Sequence, residues 1–336
     1  MKSLSNQRAS ILIIVMWIIS ISLVLVSVLA SNSKLSATIV MHQQDALKNW
    51  AELLTIINQA KMEVLFKPKT NPFANALKKA RQNKDKLKKQ PYLFNGQKIK
   101  LSYSNNEDMI VRIYDLSGKL NLSKLSRANF RKILVKKIGK EDKKIDELLD
   151  AWQDWTDRDS LKRLNGAEKD YYSKLEPAYA PRNSTIQSVN ELSLIKGFRE
   201  VFGNFDYSQV FSLYGPSRAL INPNIVNRET LLLVPGIEEE LADEIITKRK
   251  EMLFENMAEF NALIPATVAG KIKGWFALSK SRFYAIVIYP KTSEQDALID
   301  KAGNTQLYAY KEIIQVLATN KMPKTLRVFP SYKVSL

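Results

Sequence analysis

Residues 8–30 read RASILIIVMWIISISLVLVSVLA, and the fate of that stretch decides the fold. A basic residue is followed at once by an apolar run with no charge in it. As a helix, residues 11–30 are long enough to cross a hydrocarbon core of about 30 Å. Lys2 and Arg8 precede the run, so a short cytoplasmic tail and an exported remainder are expected. A cleaved secretory signal has a shorter apolar core, about 7–15 residues, although Val28-Leu29-Ala30 has the small residue such a cut requires.

After Ser31-Asn32-Ser33 the apolar pattern becomes amphipathic. Leu47, Trp50, Leu54 and Ile57 recur at helical spacing, and Leu53, Ile57, Ala60 and Val64 extend the stripe. No proline or glycine interrupts the chain before Pro68. The pattern predicts one helix over 10–66, its first half in lipid and its second half packed on a domain outside. The alternative is an anchor and a separate core helix, broken between Ser31 and Lys34.

The chain has 336 residues, 45% hydrophobic and 25% charged, which fits a folded protein able to bury a sizeable core. With no cysteine, disulfides, thiolate metal sites and cysteine nucleophiles are excluded. The net charge of +17 favours anionic surfaces, nucleic acid or phospholipid headgroups among them. Much of the excess sits in KKARQNKDKLKK at 78–89, and such a run is ordinarily a solvated loop or helix face.

Beyond the first helix, KIKLSYS and MIVRIYD read as strands separated by the turn-rich NNED, followed by the glycine-centred turn LSGKLNLS. From 125 to 272 the pattern is helical. FALSKSRFYAIVIYP, QLYAYKEIIQVLAT and TLRVFPSYKV close the chain as strands rich in Tyr, Phe, Val and Ile. The expected class is α+β: a long N-terminal helix packed on an antiparallel sheet, interrupted by a large inserted all-helical domain. The expected divisions are 1–9, 10–66 with the membrane span at 11–30, 67–124, 125–272 and 273–336.

A basic leader, an apolar run and an amphipathic continuation resemble the start of type IV pilins and pseudopilins. The resemblance implies cleavage by prepilin peptidase between Ala9 and Ser10, N-methylation of the new terminus, and retention of the apolar helix. Pilins carry Gly where Ala9 stands, and Glu at the fifth mature position, where this chain has Ile14. A carboxylate at that depth is costly in lipid unless paired, in pilins with the neighbouring subunit's amino terminus. A subunit lacking it suits the tip of a filament. Together with VRIYDLSGKLNLS at 111–123, DWTDRDSLKRLNGAEKDYY at 154–172, YAPRNS at 179–184, SVNELSLIKGF at 188–198 and INPNIVNRETLLLVPGIEEELADEIITKR at 221–249, the start resembles the K-type minor pseudopilins of the bacterial type II secretion system. The family also lacks the Glu at the position of Ile14. The resemblance implies a pilin-like fold and a subunit anchored once in the inner membrane, with its domain in the periplasm. It also implies I- and J-type minor pseudopilins and other pseudopilins as partners, and a role in starting pseudopilus assembly at the tip.

Asp157 and Asp159 are two apart, and Glu168 is twelfth counting from Asp157, the outer ligand positions of a twelve-residue calcium loop. Leu161 and Lys162 break the EF-hand pattern in the middle. A different loop, with Asp154, backbone carbonyls and water, is one reading. The other is that Asp157 and Asp159 cap the next helix. The family resemblance implies calcium in this region.

LLLVPGIEEELADEIITKR reads as a helix-hairpin-helix turning at Pro235-Gly236. DNA-binding versions bring backbone N–H groups to a phosphate. Here Glu238, Glu239 and Glu240 open the second helix, suiting its dipole and opposing phosphate. A membrane-anchored nucleic-acid-binding protein is the rival reading, with nucleic acid disfavoured as a partner. The sequence offers no serine-hydrolase elbow, phosphate-binding loop or histidine pair for zinc, and the single His42 lies on the long helix. No enzyme is expected. Trp152 and Trp155 read as core aromatics.

Overall fold

The computed structural model describes residues 4–66, 93–101, 108–216, 218, 220–278, 282–291, 298–299, 305–318 and 320–335. The basic run at 78–89 and residues 102–107 of the first strand-like segment lie outside the described residues.

Helix α1 spans Leu4–Phe66 without a break. It starts ahead of Ser10 and passes through residues 31–34, so the two-helix alternative is not what forms. Some hydroxyls along it bond back to the helix: Ser20 Oγ donates to the carbonyl of Met16 at 2.9 Å, and Thr38 Oγ1 to that of Lys34 at 2.5 Å. The chain divides into two compact units, 1–58 and 59–336. In the first, every large apolar side chain from Leu12 to Leu29 is at least 45% exposed. Leu47, Trp50 and Leu54, expected on a packed stripe, are exposed too.

In the second unit the final turns of α1 bury Ala60, Val64 and Leu65. The main sheet contains β1 (Asn95–Ile99), β2 (Met109–Asp115), β5 (Phe283–Pro290), β6 (Leu298–Ile299), β7 (Thr305–Gln315) and β8 (Lys324–Ser335). Hydrogen bonds link β1–β2–β5–β7–β6 in order, and β8 also pairs with β7; all pairs are antiparallel. Strand β2 lies in register against β5, Val111 opposite Ile288 and Ile113 opposite Ile286, although 167 residues, 116–282, lie between the two strands.

 Among the described residues, the helices after α1 therefore occupy a single excursion, 116–282, between two strands that are neighbours in the sheet. Strand β1 covers only the start of KIKLSYS and begins earlier, at Asn95.

The excursion opens with a 3-10 turn, Leu116–Gly118, in which Asp115 Oδ1 accepts from Ser117 N at 2.9 Å. Then come β3 (Leu120–Asn121), α2 (Arg127–Ile138), α3 (Lys143–Thr156), α4 (Lys169–Tyr172), α5 (Phe198–Phe202), α6 (Tyr207–Val210), β4 (Phe211–Ser212), α7 (Arg228–Leu233), α8 (Glu239–Glu251), α9 (Met257–Leu263) and α10 (Ala266–Ile272). Strands β3 and β4 form a two-residue parallel pair inside this otherwise helical region. Ser126 caps α2 by accepting from Asn129 N, and Gly139 ends it in a left-handed conformation. Phe130, Trp155, Phe198, Phe260 and Trp275 fill one core, with Trp152 packed at its margin. The sheet keeps separate small clusters, such as Ile110 with Val287 and Tyr289.

Candidate functional site

Helix α3 ends at Thr156, and its amphipathic spacing turns Asp154 and Trp155 inward. Asp157 is the C-cap, its N–H bonded to the carbonyl of Gln153 at 2.8 Å. The chain then loops out and returns through Gly166, Ala167 and Glu168, all buried. A Cβ at Gly166 would fall 1.8 Å from Asp154 Oδ2, so only glycine lets the loop close over that carboxylate. Arg163 answers part of the charge. Its backbone N–H reaches the Asp154 oxygens at 3.3 and 3.2 Å, its Nε lies 3.5 Å from Asp154 Oδ1, and its Nη2 donates to Asp157 Oδ2 at 3.1 Å.

Other oxygens here have no donor. Asp157 Oδ1, both carboxylate oxygens of Glu168 and the amide oxygen of Asn183 are buried without a hydrogen bond. Buried acceptors are rarely left this way, because each loses its water without replacement. Burial raises the Asp154 carboxyl above its usual range, and repulsion from Asp157 adds to the shift. Asp157 is raised by burial and by Asp159. Glu168 is raised by burial and by Asp154 and Asp157; the Asn183 amide and the Lys169 N–H temper the shift without completing a hydrogen bond to either oxygen. Among the described residues, no three carboxylate or imidazole side chains converge enough to enclose an ion alone. An ion here would need the Asn183 amide, backbone carbonyls and water besides Asp157 and Glu168. That is a donor set calcium accepts.

Of the residues singled out by spacing, Asp154, Asp157 and Glu168 come into electrostatic contact. Asp159 is exposed, and its Oδ1 accepts from Leu161 N at 2.9 Å. Neither aspartate caps the next helix; Glu168 holds the N-cap position of α4, with no side-chain cap bond. Asn183 was not legible as a site residue. Its Nδ2 donates to the Asp159 carbonyl at 2.7 Å, and its φ of 45° is a conformation asparagine tolerates. That tolerance was the one signal available. The adjoining segment is braced by Glu191, which accepts from Arg182 Nε at 2.6 Å and Trp155 Nε1 at 3.3 Å.

The hairpin at Pro235-Gly236 follows α7 and precedes α8. Gly236 has φ +86°, and a Cβ there would meet Val268 and Lys271 of α10 at about 3.1 Å. The turn is packed against a helix. Ala9 and Ser10 both lie within the backbone of α1, and Ile14 is exposed.

A family model described as "Type II secretion system (T2SS), protein K" matches residues 115–202. Type II secretion system protein K of Klebsiella pneumoniae is 25% identical over 182 residues, covering 51% of this chain and 56% of the relative. The Pseudomonas aeruginosa protein of that name is 28% identical over 165 residues, covering 46% and 48%. The Aeromonas hydrophila protein is 40% identical over 65 residues, 19% and 20%. The chain thus spans about half the length, or less, of the curated relatives it matches. The crystal structure of the GspK-GspI-GspJ complex from the enterotoxigenic Escherichia coli type 2 secretion system contains a similar fold. It aligns with a TM-score of 0.56 over 88% of this chain and 98% of that one, at 12% identity.

Proposed function

We propose that the chain is a member of the type II secretion system protein K family, to whose members it is similar, and that it acts as a minor pseudopilin leading a periplasmic pseudopilus. Its work is assembly rather than catalysis. The observation that carries this reading is α1: one unbroken helix whose apolar window has a mean hydropathy of 3.0 and no buried residue, leading into a domain built on a sheet. Such a helix can lie in lipid first and among the helices of neighbouring subunits later. Its large apolar side chains remain available in either setting. The proposed partners are I- and J-type minor pseudopilins, the kind of complex named for the similar solved structure. Prepilin peptidase would cut between Ala9 and Ser10, leaving a single-pass protein in the inner membrane with its domain in the periplasm. The division at 125–272 into an inserted domain is part of the same proposal.

Ile14 supports a leading position. A carboxylate there would serve to pair with a subunit ahead, and the apolar side chain gives up that pairing. Export across the outer membrane would follow from the filament this subunit helps to start.

The residues around Glu168 fit a resident calcium ion, on the grounds of the orphaned oxygens and raised carboxyls. Asp157, Glu168 and Asn183 would hold it, with Asp154 and the Asp159 backbone nearby. When bound, the ion supplies positive charge that offsets the mutual repulsion of the carboxylates. Arg163 already supplies part of that charge from within the chain, and Gly166 keeps Asp154 in place.

Mass spectrometry of the amino terminus from the native membrane tests the reading. The expected product starts at Ser10 and is N-methylated. A start at Ser31 would remove the anchor and overturn the filament role; an uncleaved terminus would leave a plain anchored protein. Cross-linking in the membrane is expected to capture I- and J-type pseudopilins. A strict requirement for glutamate in place of Ile14 would contradict the leading position.

A further inference from the structure

The loop between Asp157 and Glu168 presents two leucines to solvent. Leu161 is 77% exposed and Leu164 is 92% exposed, more than any large apolar side chain described on α1. They are held out by a fixed base. Arg163 Nη2 donates to Asp157 Oδ2 at 3.1 Å, the Asn165 N–H and Nδ2 donate to Asp150 Oδ2 at 3.3 and 3.2 Å, and Asn183 Nδ2 donates to the Asp159 carbonyl at 2.7 Å. Arg158 and Lys162 accompany the leucines; both are exposed, and neither is ion-paired to a carboxylate among the described residues. Asp159, also exposed, is the one carboxylate between Arg158 and Leu164.

A single exposed leucine is ordinary on a protein surface. Two on one braced turn, beside unpaired cations, have the composition of a segment that enters the headgroup region of a bilayer. A stable protein partner buries about 800 Å² on each side around an apolar centre, and two leucines on a turn supply little of that. A bilayer takes such side chains singly. We propose that the turn at 158–164 touches an anionic phospholipid surface, with Leu161 and Leu164 entering the acyl boundary and Arg158 and Lys162 meeting the phosphates.

Charge makes the contact depend on calcium, a dependence that rests on the calcium site proposed above. From 154 to 168 four carboxylates, Asp154, Asp157, Asp159 and Glu168, stand against three cations, Arg158, Lys162 and Arg163, a net charge of −1. A calcium ion at Asp157 and Glu168 turns this to +1. Without the ion the loop is weakly repelled by an anionic surface; with it the loop is attracted. Each cation near such a surface strengthens binding about fivefold. Burying each leucine strengthens it about tenfold or more. The contact is therefore weak and reversible, comparable to a single acyl anchor.

The test uses the full chain, its anchor held in nanodiscs of neutral phosphatidylcholine, and separate sucrose-loaded vesicles of phosphatidylcholine with or without an equal part of phosphatidylglycerol. Calcium binding is measured by calorimetry without vesicles, and co-sedimentation with the vesicles is measured in calcium and in chelator. Retention on the phosphatidylglycerol vesicles in calcium is expected to exceed that in chelator, and that on neutral vesicles, at least about tenfold. Leu161→Ser with Leu164→Ser is expected to lower it about tenfold or more and to leave the calcium heat unchanged. Both side chains are exposed, so folding does not depend on them. Calcium heat without retention would overturn the lipid contact alone and leave the leucines to a protein partner. Retention that the serine pair abolishes, in a chain with no calcium heat, would support the lipid contact and overturn the calcium site. Retention unchanged by the serine pair, or equal on the two kinds of vesicle, would overturn the proposal.

Discussion

Lys61 Nζ lies 2.6 Å from Glu312 Oε1, tying the last turns of α1 to β7 through an ion pair whose side chains are only 12% and 3% exposed. Glu312 also accepts from the hydroxyls of Thr325 and Tyr310. Removing one partner of a buried pair leaves the other charge uncompensated, at a cost of about 3–5 kcal/mol. Lys61→Met is expected to lose stability on that scale in urea unfolding of the detergent-solubilised protein. The double variant Lys61→Met with Glu312→Leu is expected to regain most of it. A Lys61→Met protein as stable as the parent would show that the pair contributes nothing to holding α1 on the sheet.

Gly166 and Gly270 make a matched contrast. A methyl group at Gly166 collides with the fully buried Asp154 carboxylate, whereas one at Gly270 in α10 meets nothing within 4 Å. Gly166→Ala is expected to destabilise by about 1–3 kcal/mol through overpacking. Gly270→Ala is expected to stabilise by up to about 1 kcal/mol through helix propensity. Thermal unfolding of the two variants beside the parent checks both signs.

Much of the architecture was legible, and the failures have physical reasons. MIVRIYD and FYAIVIYP form strands where their β-branched and aromatic residues placed them, because both are buried in the sheet as direct partners. The unbroken helix followed from the absence of proline and glycine through residue 66. The stripe through Leu47, Trp50 and Leu54 misled, because helical spacing shows that residues share a face and not that anything covers it. The edge strand β1 misled differently. Its register shifts between Asn95 and Lys98, where a Cβ on Gly96 would meet the Tyr114 ring at 2.2 Å, a fit set by the partner strand and invisible to local alternation. At the proposed cation site, the spacing of Asp157 and Glu168 is local and could be read. Asn183 comes to the Asp159 carbonyl only through the fold, in a segment where Arg182 pairs with Glu191.

Calcium is expected to raise the unfolding temperature of the parent, reversibly with chelator. At a hundred times the dissociation constant the gain is about 2.7 kcal/mol. Glu168→Gln separates this from a merely structural role. Without calcium, the substitution removes a buried charge repelled by Asp154 and Asp157, so stability is expected to hold or rise. With calcium, the variant is expected to gain much less than the parent. Equal calcium responses in the two proteins would place the ion elsewhere.

Lys119 and Lys311, whose side chains are both attracted by Asp206, predict how stability changes with pH. Burial holds both folded-state values below the ordinary lysine value of 10.5, at about 8 for Lys119 and about 7 for Lys311. Between those values and 10.5 the unfolded chain binds more protons than the folded one. Stability attributable to these groups therefore rises with pH across that interval, and is lost as pH falls through the lowered values. Asp206 limits the effect by attracting both ammonium groups. Urea unfolding of the detergent-solubilised chain is expected to show this rising slope, and Lys311→Met is expected to flatten it. An unchanged slope in that variant would mean that Lys311 is as well solvated in the folded protein as in the unfolded chain.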